Sequence, residues 1–287
     1  METTATFDEN SDEFVIHTPS LTSTKWWIGG AAQTATHAAV FARLIVKGKS
    51  YGVKSFIVPL RDYETFSLKP GVTVGDCGAK MGRHGIDNGW IQFTHVRIPR
   101  SNMLMKFTKV SRDGVVTEPP MAQLTYGALI LGRVTMVRES SDLSKKALII
   151  AIRYGLVRRQ FSSKPGEPEN KIMDYGTHQQ RLLPLLAGTF AINFTALEVA
   201  RIYDELMYKM DRITANDPTI KEVIESLKET HATSAGLKAH CTWFALNLIE
   251  QCRQTLGGHG YSSYAGLASL YQDFAVQCTW EVYFINN

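Results

Sequence analysis

The chain has 287 residues, of which 44% are hydrophobic and 20% charged, with a formal net charge of +4. That length suits one large or two ordinary domains, and that composition excludes a disordered segment or a fibre. The 31 Lys and Arg against 27 Asp and Glu form a mild, scattered excess, which fits a phosphate-bearing small ligand and offers no basic stripe for nucleic acid.

The N-terminal run METTATFDENSDEF is acidic and polar, unlike a secretion signal. From there to about Pro120 the sequence reads as β structure. Short runs rich in Val, Ile, Phe and Trp, at Phe14–His17, His37–Val46, Val53–Pro59 and Trp90–Arg97, are separated by Gly, Asp and Asn. Asp113-Gly114 between two β-prone runs predicts a tight hairpin turn. Long helices do not alternate with these runs, so a compact antiparallel barrel or sandwich is expected rather than a parallel Rossmann sheet.

The pattern changes near Glu118-Pro119-Pro120. Apolar residues then recur at helical spacing from about Leu124 to Phe161, without an intervening Pro. A polar loop, Ser162 to Asn170, leads to a second helical stretch, Lys171 to Met210. Within it Leu183, Leu186, Phe190, Phe194 and Leu197 share one face, and Pro184 marks a kink or a boundary. A polar segment around Thr214–Pro218 ends that stretch. A third helix is predicted from Ile220 to Leu256, stopped by Gly257-Gly258, and a short one from Ala265 to Phe274. The reading is therefore α+β: a small antiparallel, barrel-like β domain (1–120), then a long-helix bundle (121–287). Three long helices leave apolar faces for a fourth helix or a partner chain to cover.

Cys77, Cys241, Cys252 and Cys278 form no C-x-x-C pair and have no zinc-ligand spacing with His, so no metal site is expected and each reads as a small core residue in a reducing compartment. No run of about 18 consecutive apolar residues occurs, so no membrane-spanning helix is expected.

Four segments carry most of the chemical information. They are Lys25-Trp26-Trp27-Ile28-Gly29-Gly30, Ile98-Pro99-Arg100-Ser101-Asn102-Met103-Leu104-Met105, Ile152-Arg153-Tyr154-Gly155-Leu156-Val157-Arg158-Arg159-Gln160 and Gly257-Gly258-His259-Gly260-Tyr261. In this order and at about this spacing they resemble the acyl-CoA oxidases, and less closely the wider acyl-CoA dehydrogenase superfamily. The resemblance runs from Glu2 to Glu281.

That resemblance implies FAD as cofactor, a fatty acyl-CoA as substrate, O2 as electron acceptor, a homodimer and a peroxisomal location, although the C-terminal residues are not a Ser-Lys-Leu address. It implies a flavin wall at Trp27 and a close backbone approach at Gly29. It makes Arg158 of the Arg158-x-x-Phe161 pair a ligand of the FAD pyrophosphate across a dimer interface, where a planar fork of donors suits a phosphate. Gln254, Gly257 and Gly258 become a second cofactor element, with Gln254 on the adenosine side and backbone amides facing an anion. His259 reads as a loop histidine. Asp87-Asn88-Gly89 and Thr125-Tyr126-Gly127 also match, and read as a turn and a helix start.

Cys278-Thr279-Trp280-Glu281 resembles the segment that ends in the family's catalytic glutamate. The α-proton of a thioester is weakly acidic, so a positioned carboxylate in a dry site must remove it as the β-hydride leaves. The developing oxyanion needs donors, which the family takes from the glutamate's own N–H and the cofactor.

The sequence departs from the family in three places. It begins after the family's N-terminal helical domain, it lacks the long C-terminal helical region, and Glu281 is followed by Val282-Tyr283-Phe284 rather than Gly, an acidic residue and Asn. A β-branched residue at 282 crowds a position where the family has glycine. These departures imply a chain truncated at both ends, with uncovered apolar faces that favour aggregation. Two other readings stand beside the oxidase: a dehydrogenase that uses a protein electron acceptor, and an inactive remnant that serves as a dimerisation partner.

Overall fold

The computed structural model describes residues 1–118, 130–213 and 217–280. The chain divides into two compact units, Met1–Leu124 and Thr125–Asn287.

Among the described residues the first unit has ten strands: β1 (Thr4–Asp8), β2 (Glu13–His17), β3 (Lys25–Gly29), β4 (His37–Val46), β5 (Lys49–Pro59), β6 (Val72–Asp76), β7 (Asn88–Phe93), β8 (Val96–Pro99), β9 (Lys109–Val110) and β10 (Val116–Thr117). Five form one sheet in the order β5-β4-β1-β2-β8, and three form another in the order β3-β7-β6. Neither closes into a barrel among the described residues. Pairing is antiparallel throughout except between β1 and β4, which run parallel. Burial follows the period-two rule. β4 turns Val40, Ala42, Leu44 and Val46 inward, and β7 turns Gly89, Ile91 and Phe93 inward. Phe14 anchors this core, with its ring centroid 5.2 Å from Phe7 and 5.1 Å from Phe56.

The strands at 14–17, 37–46 and 53–59 match the sequence reading, and so does the turn at Asp113-Gly114. There Gly114 takes φ 71° between the paired β9 and β10. The run Trp90–Arg97 is different. It breaks at His95, whose φ of 52° turns the chain, so β7 and β8 join different sheets. The sequence reading also passed over β1, β3 and β6.

The second unit holds α1 (Ile130–Val157), α2 (Gly176–Arg212), α3 (Ile220–Thr255) and the shorter α4 (Gly258–Tyr261) and α5 (Leu267–Ala275). The expected helix start at Thr125-Tyr126-Gly127 lies outside the described residues. Consecutive long helices run antiparallel. Lys145 of α1 reaches Asn193 of α2 while Gly155 lies against His178, and Gly188 of α2 lies against Phe244 of α3. Pro184 sits inside α2, which continues through it.

On α2 the buried residues are Leu182, Leu185, Thr189, Ile192, Ala196, Val199, Leu206 and Met210. The row singled out from the sequence is the other apolar face: Leu183, Phe190, Phe194 and Leu197 are all more than half exposed, and only Leu186 packs on the core. This helix therefore has more apolar surface than α1 and α3 can cover. By length and composition alone it is apolar enough to cross a membrane, with a best window of mean hydropathy 1.6, although no single unbroken apolar run exists. The four cysteines are free. Cys241, Cys252 and Cys278 are buried, and burial pushes the thiol of Cys241 up to about 11 and that of Cys252 to about 12.

Candidate functional site

In the helical unit, α1 ends at Val157 and the chain folds into a short hairpin. Arg158 donates its N–H to Tyr154 (2.8 Å) and accepts from Ile172 N–H (2.9 Å). Gln160 and Asn170 share the next rung, with Gln160 N–H on Asn170 O at 2.9 Å and Asn170 N–H on Phe161 O at 2.7 Å. Tyr175 Oη closes the loop by donating to Gln160 O (2.7 Å). Phe161 is held in the left-handed region (φ 59°) with its ring 70% exposed. That conformation costs a non-glycine residue on the order of 1–3 kcal/mol.

Across from this hairpin α3 ends. Gly257 turns the chain with φ 59° and donates to Gln254 O (3.0 Å). Gly260 is needed for packing, since a Cβ there would collide with Arg253 O. Gly258 has no such constraint: a Cβ at that position would meet nothing within 4 Å.

The hairpin and the α3 terminus enclose a cleft of about 840 Å³ lined by Arg158, Phe161, Gln254, Gly257 and Gly258. Five of the six helical-unit residues singled out in the sequence are therefore in one place, and the sixth, Glu281, lies outside the described residues. Tyr175, His178 and Arg181, which were not singled out, also line it. They lie at the start of α2, one turn apart, where the sequence offers only a polar helix entry. His178 Nε2 is buried and has no hydrogen-bond partner among the described residues. His259 also lines the cleft, with its ring edge-on to Tyr154 at 5.9 Å. Glu250 is engaged by Arg253 (2.6 and 2.8 Å) and by Gln254 (2.9 Å), so its charge is neutralised next to the site. The donor set, two arginines with glycine backbone and no carboxylate on the lining, suits a pyrophosphate.

Burial, and then the positive charge of Arg181, hold His178 below the usual histidine value. Burial and Arg133 do the same to His231. In the window between these lowered values and the ordinary value near 6.5, the unfolded chain binds more protons than the folded one. Stability from this source is thus fully present above about pH 6.5 and falls as the pH drops. Urea midpoints are expected to be lower at about pH 5.5 than at about pH 7.5, with a smaller gap in the His178→Gln/His231→Gln variant.

In the β unit, Trp27 and Gly29 lie on β3. The pairing of β3 with β7 slips between Lys25 and Ile28, a bulge that places Trp27 at φ 66° with its side chain 58% exposed. The two glycines that follow differ. Gly30 needs its φ of 77° to start the next turn, whereas Gly29 is exposed and a Cβ on it would meet nothing within 4 Å. The turn 30–35 is fixed from both sides. The Asp87 carboxylate accepts N–H bonds from Ala32, Gln33 and Thr34 (3.0–3.1 Å). The buried Arg61 guanidinium donates to the carbonyls of Ala31, Ala32 and Ala35 (2.7–3.0 Å). Desolvation pushes the Asp87 pKa up, but the donors outweigh it and hold the carboxyl below its ordinary value. Asp87-Asn88-Gly89 is thus structural, as expected. Glu281 lies outside the described residues.

Two family descriptions match the chain: "Acyl-CoA oxidase, C-alpha1 domain" over residues 126–283 and "Acyl-CoA dehydrogenase, middle domain" over residues 1–96. The chain belongs to the acyl-CoA oxidase family. It is 58% identical to acyl-coenzyme A oxidase 2 of Yarrowia lipolytica over 98% of its own length and 40% of that protein's. The crystal structure of acyl-CoA oxidase 1 from Yarrowia lipolytica is 53% identical, with a TM-score of 0.94, covering 98% of this chain and 42% of that one. Acyl-CoA oxidase 2 of Caenorhabditis elegans, solved with FAD, ascaroside-CoA and ATP, is 38% identical with a TM-score of 0.91, covering 98% and 41%. The chain thus spans about 40% of the length of the curated relatives it matches.

Proposed function

We propose that this chain is the central part of an FAD-dependent acyl-CoA oxidase that converts a fatty acyl-CoA to the trans-2-enoyl-CoA, with O2 reduced to H2O2. The observation that carries this reading is the cleft in which Arg158, Phe161, Gln254, Gly257 and Gly258 converge. FAD, when bound, takes up the β-hydride and delivers two electrons to O2. The protein's own part is binding, orientation and proton transfer. Arg158, with Arg181 beside it, holds the pyrophosphate; the Gly257-Gly258 backbone approaches the cofactor; Gln254 faces the adenosine. The exposed indole of Trp27 and the open backbone at Gly29 form a wall for the isoalloxazine. Glu281 takes the α-proton.

In this reading the 1–120 segment is the flavin-wall domain and 121–287 is part of a larger helical bundle. The second apolar face of α2, with Phe190, Phe194 and Leu197, supports coverage by further helices or a second copy rather than by lipid. A homodimer, a peroxisomal location, no membrane span and no nucleic-acid partner complete the proposal.

The test is the visible spectrum of the chain reconstituted with FAD. Replacing Arg158 by Ala removes a charge-assisted pair and is expected to weaken FAD binding about 10–100-fold, read by calorimetric titration with free FAD. Unchanged affinity in Arg158→Ala overturns the cleft assignment. Peroxide formation in air separates the oxidase from a dehydrogenase that needs a protein acceptor.

A further inference from the structure

The central strand of the three-stranded sheet carries a polar side chain that the fold does not use. β7 lies between β3 and β6, and its pairing sets Asn88 opposite Gly29 and Trp90 opposite Gly75. Directly paired residues of an antiparallel sheet point to the same face, and so do alternate residues of one strand. Gly29, Asn88, Trp90 and Gly75 therefore share one face, while Gly89 and Ile91 are buried on the other. On the β6 side of this patch the Trp90 indole lies across Gly75, where a Cβ would come within 2.4–2.5 Å of the ring. On the β3 side a Cβ at Gly29 would meet nothing within 4 Å. Asn88 stands beside both, half-buried.

The backbone of Asn88 is held from two sides. It pairs with Gly29, and its carbonyl accepts the Cys77 N–H at 2.9 Å. The residues next to it are consumed by the fold: Asp87 fixes the turn 30–35, and a Cβ on Gly89 would come within 2.5 Å of Ala32 N. The Asn88 carboxamide is different, with no hydrogen-bond partner among the described residues. A carboxamide has both a donor and an acceptor end. Fixed on a central strand, between an open glycine and an indole, it suits the edge of a planar heteroaromatic ring. Gly29 has no side chain to make that bond, and Asn88 is the polar residue paired with it.

We propose that the Asn88 carboxamide hydrogen-bonds the polar edge of the isoalloxazine that lies against Trp27 and Gly29. This rests on β3 being the flavin wall. Donation from the amide to ring atoms that gain electron density on reduction favours the reduced cofactor.

The experiment measures the two-electron reduction potential of FAD bound to the intact chain, by equilibration with a reference dye. Losing one hydrogen bond to a charged acceptor is expected to lower the equilibrium constant for reduction about tenfold in Asn88→Leu, or about 30 mV. Asn88→Asp keeps the shape, removes the donor and adds a negative charge, so its potential is expected to fall at least as far. Gln92→Leu is the control for a general loosening of this face, since Gln92 already donates to Thr24 Oγ1 (2.8 Å); its potential is expected to match the parent's. If Asn88→Leu fails to fold, Asn88→Asp decides alone. A potential unchanged in Asn88→Asp, or lowered equally in Gln92→Leu, overturns the contact while leaving the flavin wall in place. A potential that is the same when Trp27 is replaced by Ala, with FAD still bound, overturns the wall itself.

Discussion

Glu281→Gln is expected to bind FAD as the parent chain does and to lose flavin reduction by acyl-CoA about 10²–10⁴-fold, the range typical of a general base. The substitution is isosteric, so it leaves the shape of the segment alone. It removes only the capacity to accept the α-proton of the thioester. Anaerobic mixing with a saturated fatty acyl-CoA, followed as bleaching of the flavin bands, measures it directly. A variant that bleaches at the parent rate would place the base elsewhere.

Arg61→Leu is the change with the largest expected effect on the β unit. The guanidinium is only 6% exposed and donates to three carbonyls of the turn that follows Trp27 and Gly29. Leucine fills part of the volume and leaves those carbonyls without their donor, at a cost of about 3–5 kcal/mol. Asp87 still holds the N–H side of the turn, so the loss is concentrated on the carbonyl side. The expected result is a lower urea midpoint. Arg61→Lys, with a single point donor instead of a fork, is expected to recover only part of the loss. An unchanged midpoint in Arg61→Leu would mean that Asp87 alone secures the turn.

The sequence made some of this legible because the signal is local. β4 reads from its own alternation of Val40, Ala42, Leu44 and Val46, and α3 from its period and the glycines after it. β1 was invisible because Thr-Ala-Thr carries almost no hydrophobic signal, yet it lies between β2 and β4. β3 was obscured by its bulge, which puts two large aromatics side by side and breaks the alternation. On α2 the period was right but the face was not: with apolar residues on two sides, spacing alone does not say which side α1 and α3 take. The cleft was legible through the motif segments. Its contributors from the start of α2, His178 and Arg181, were not, since a histidine and an arginine at a helix entry look like ordinary solvated residues. Arg61 was beyond reach for a different reason. Its partners lie 26–30 residues away, and nothing in the residues around it marks an internal arginine.

The pairing of β2 with β8 joins Glu13 to Pro99, whereas β1 and β2 meet through a short turn. A ribosome that adds about 5–20 residues per second needs roughly 5–15 s to supply β8 after β2 has emerged. For that interval the edge of β2, with Phe14 and Ile16, has unpaired backbone donors and acceptors open to other strands. The β2 edge is therefore open to misassembly until β8 has been made.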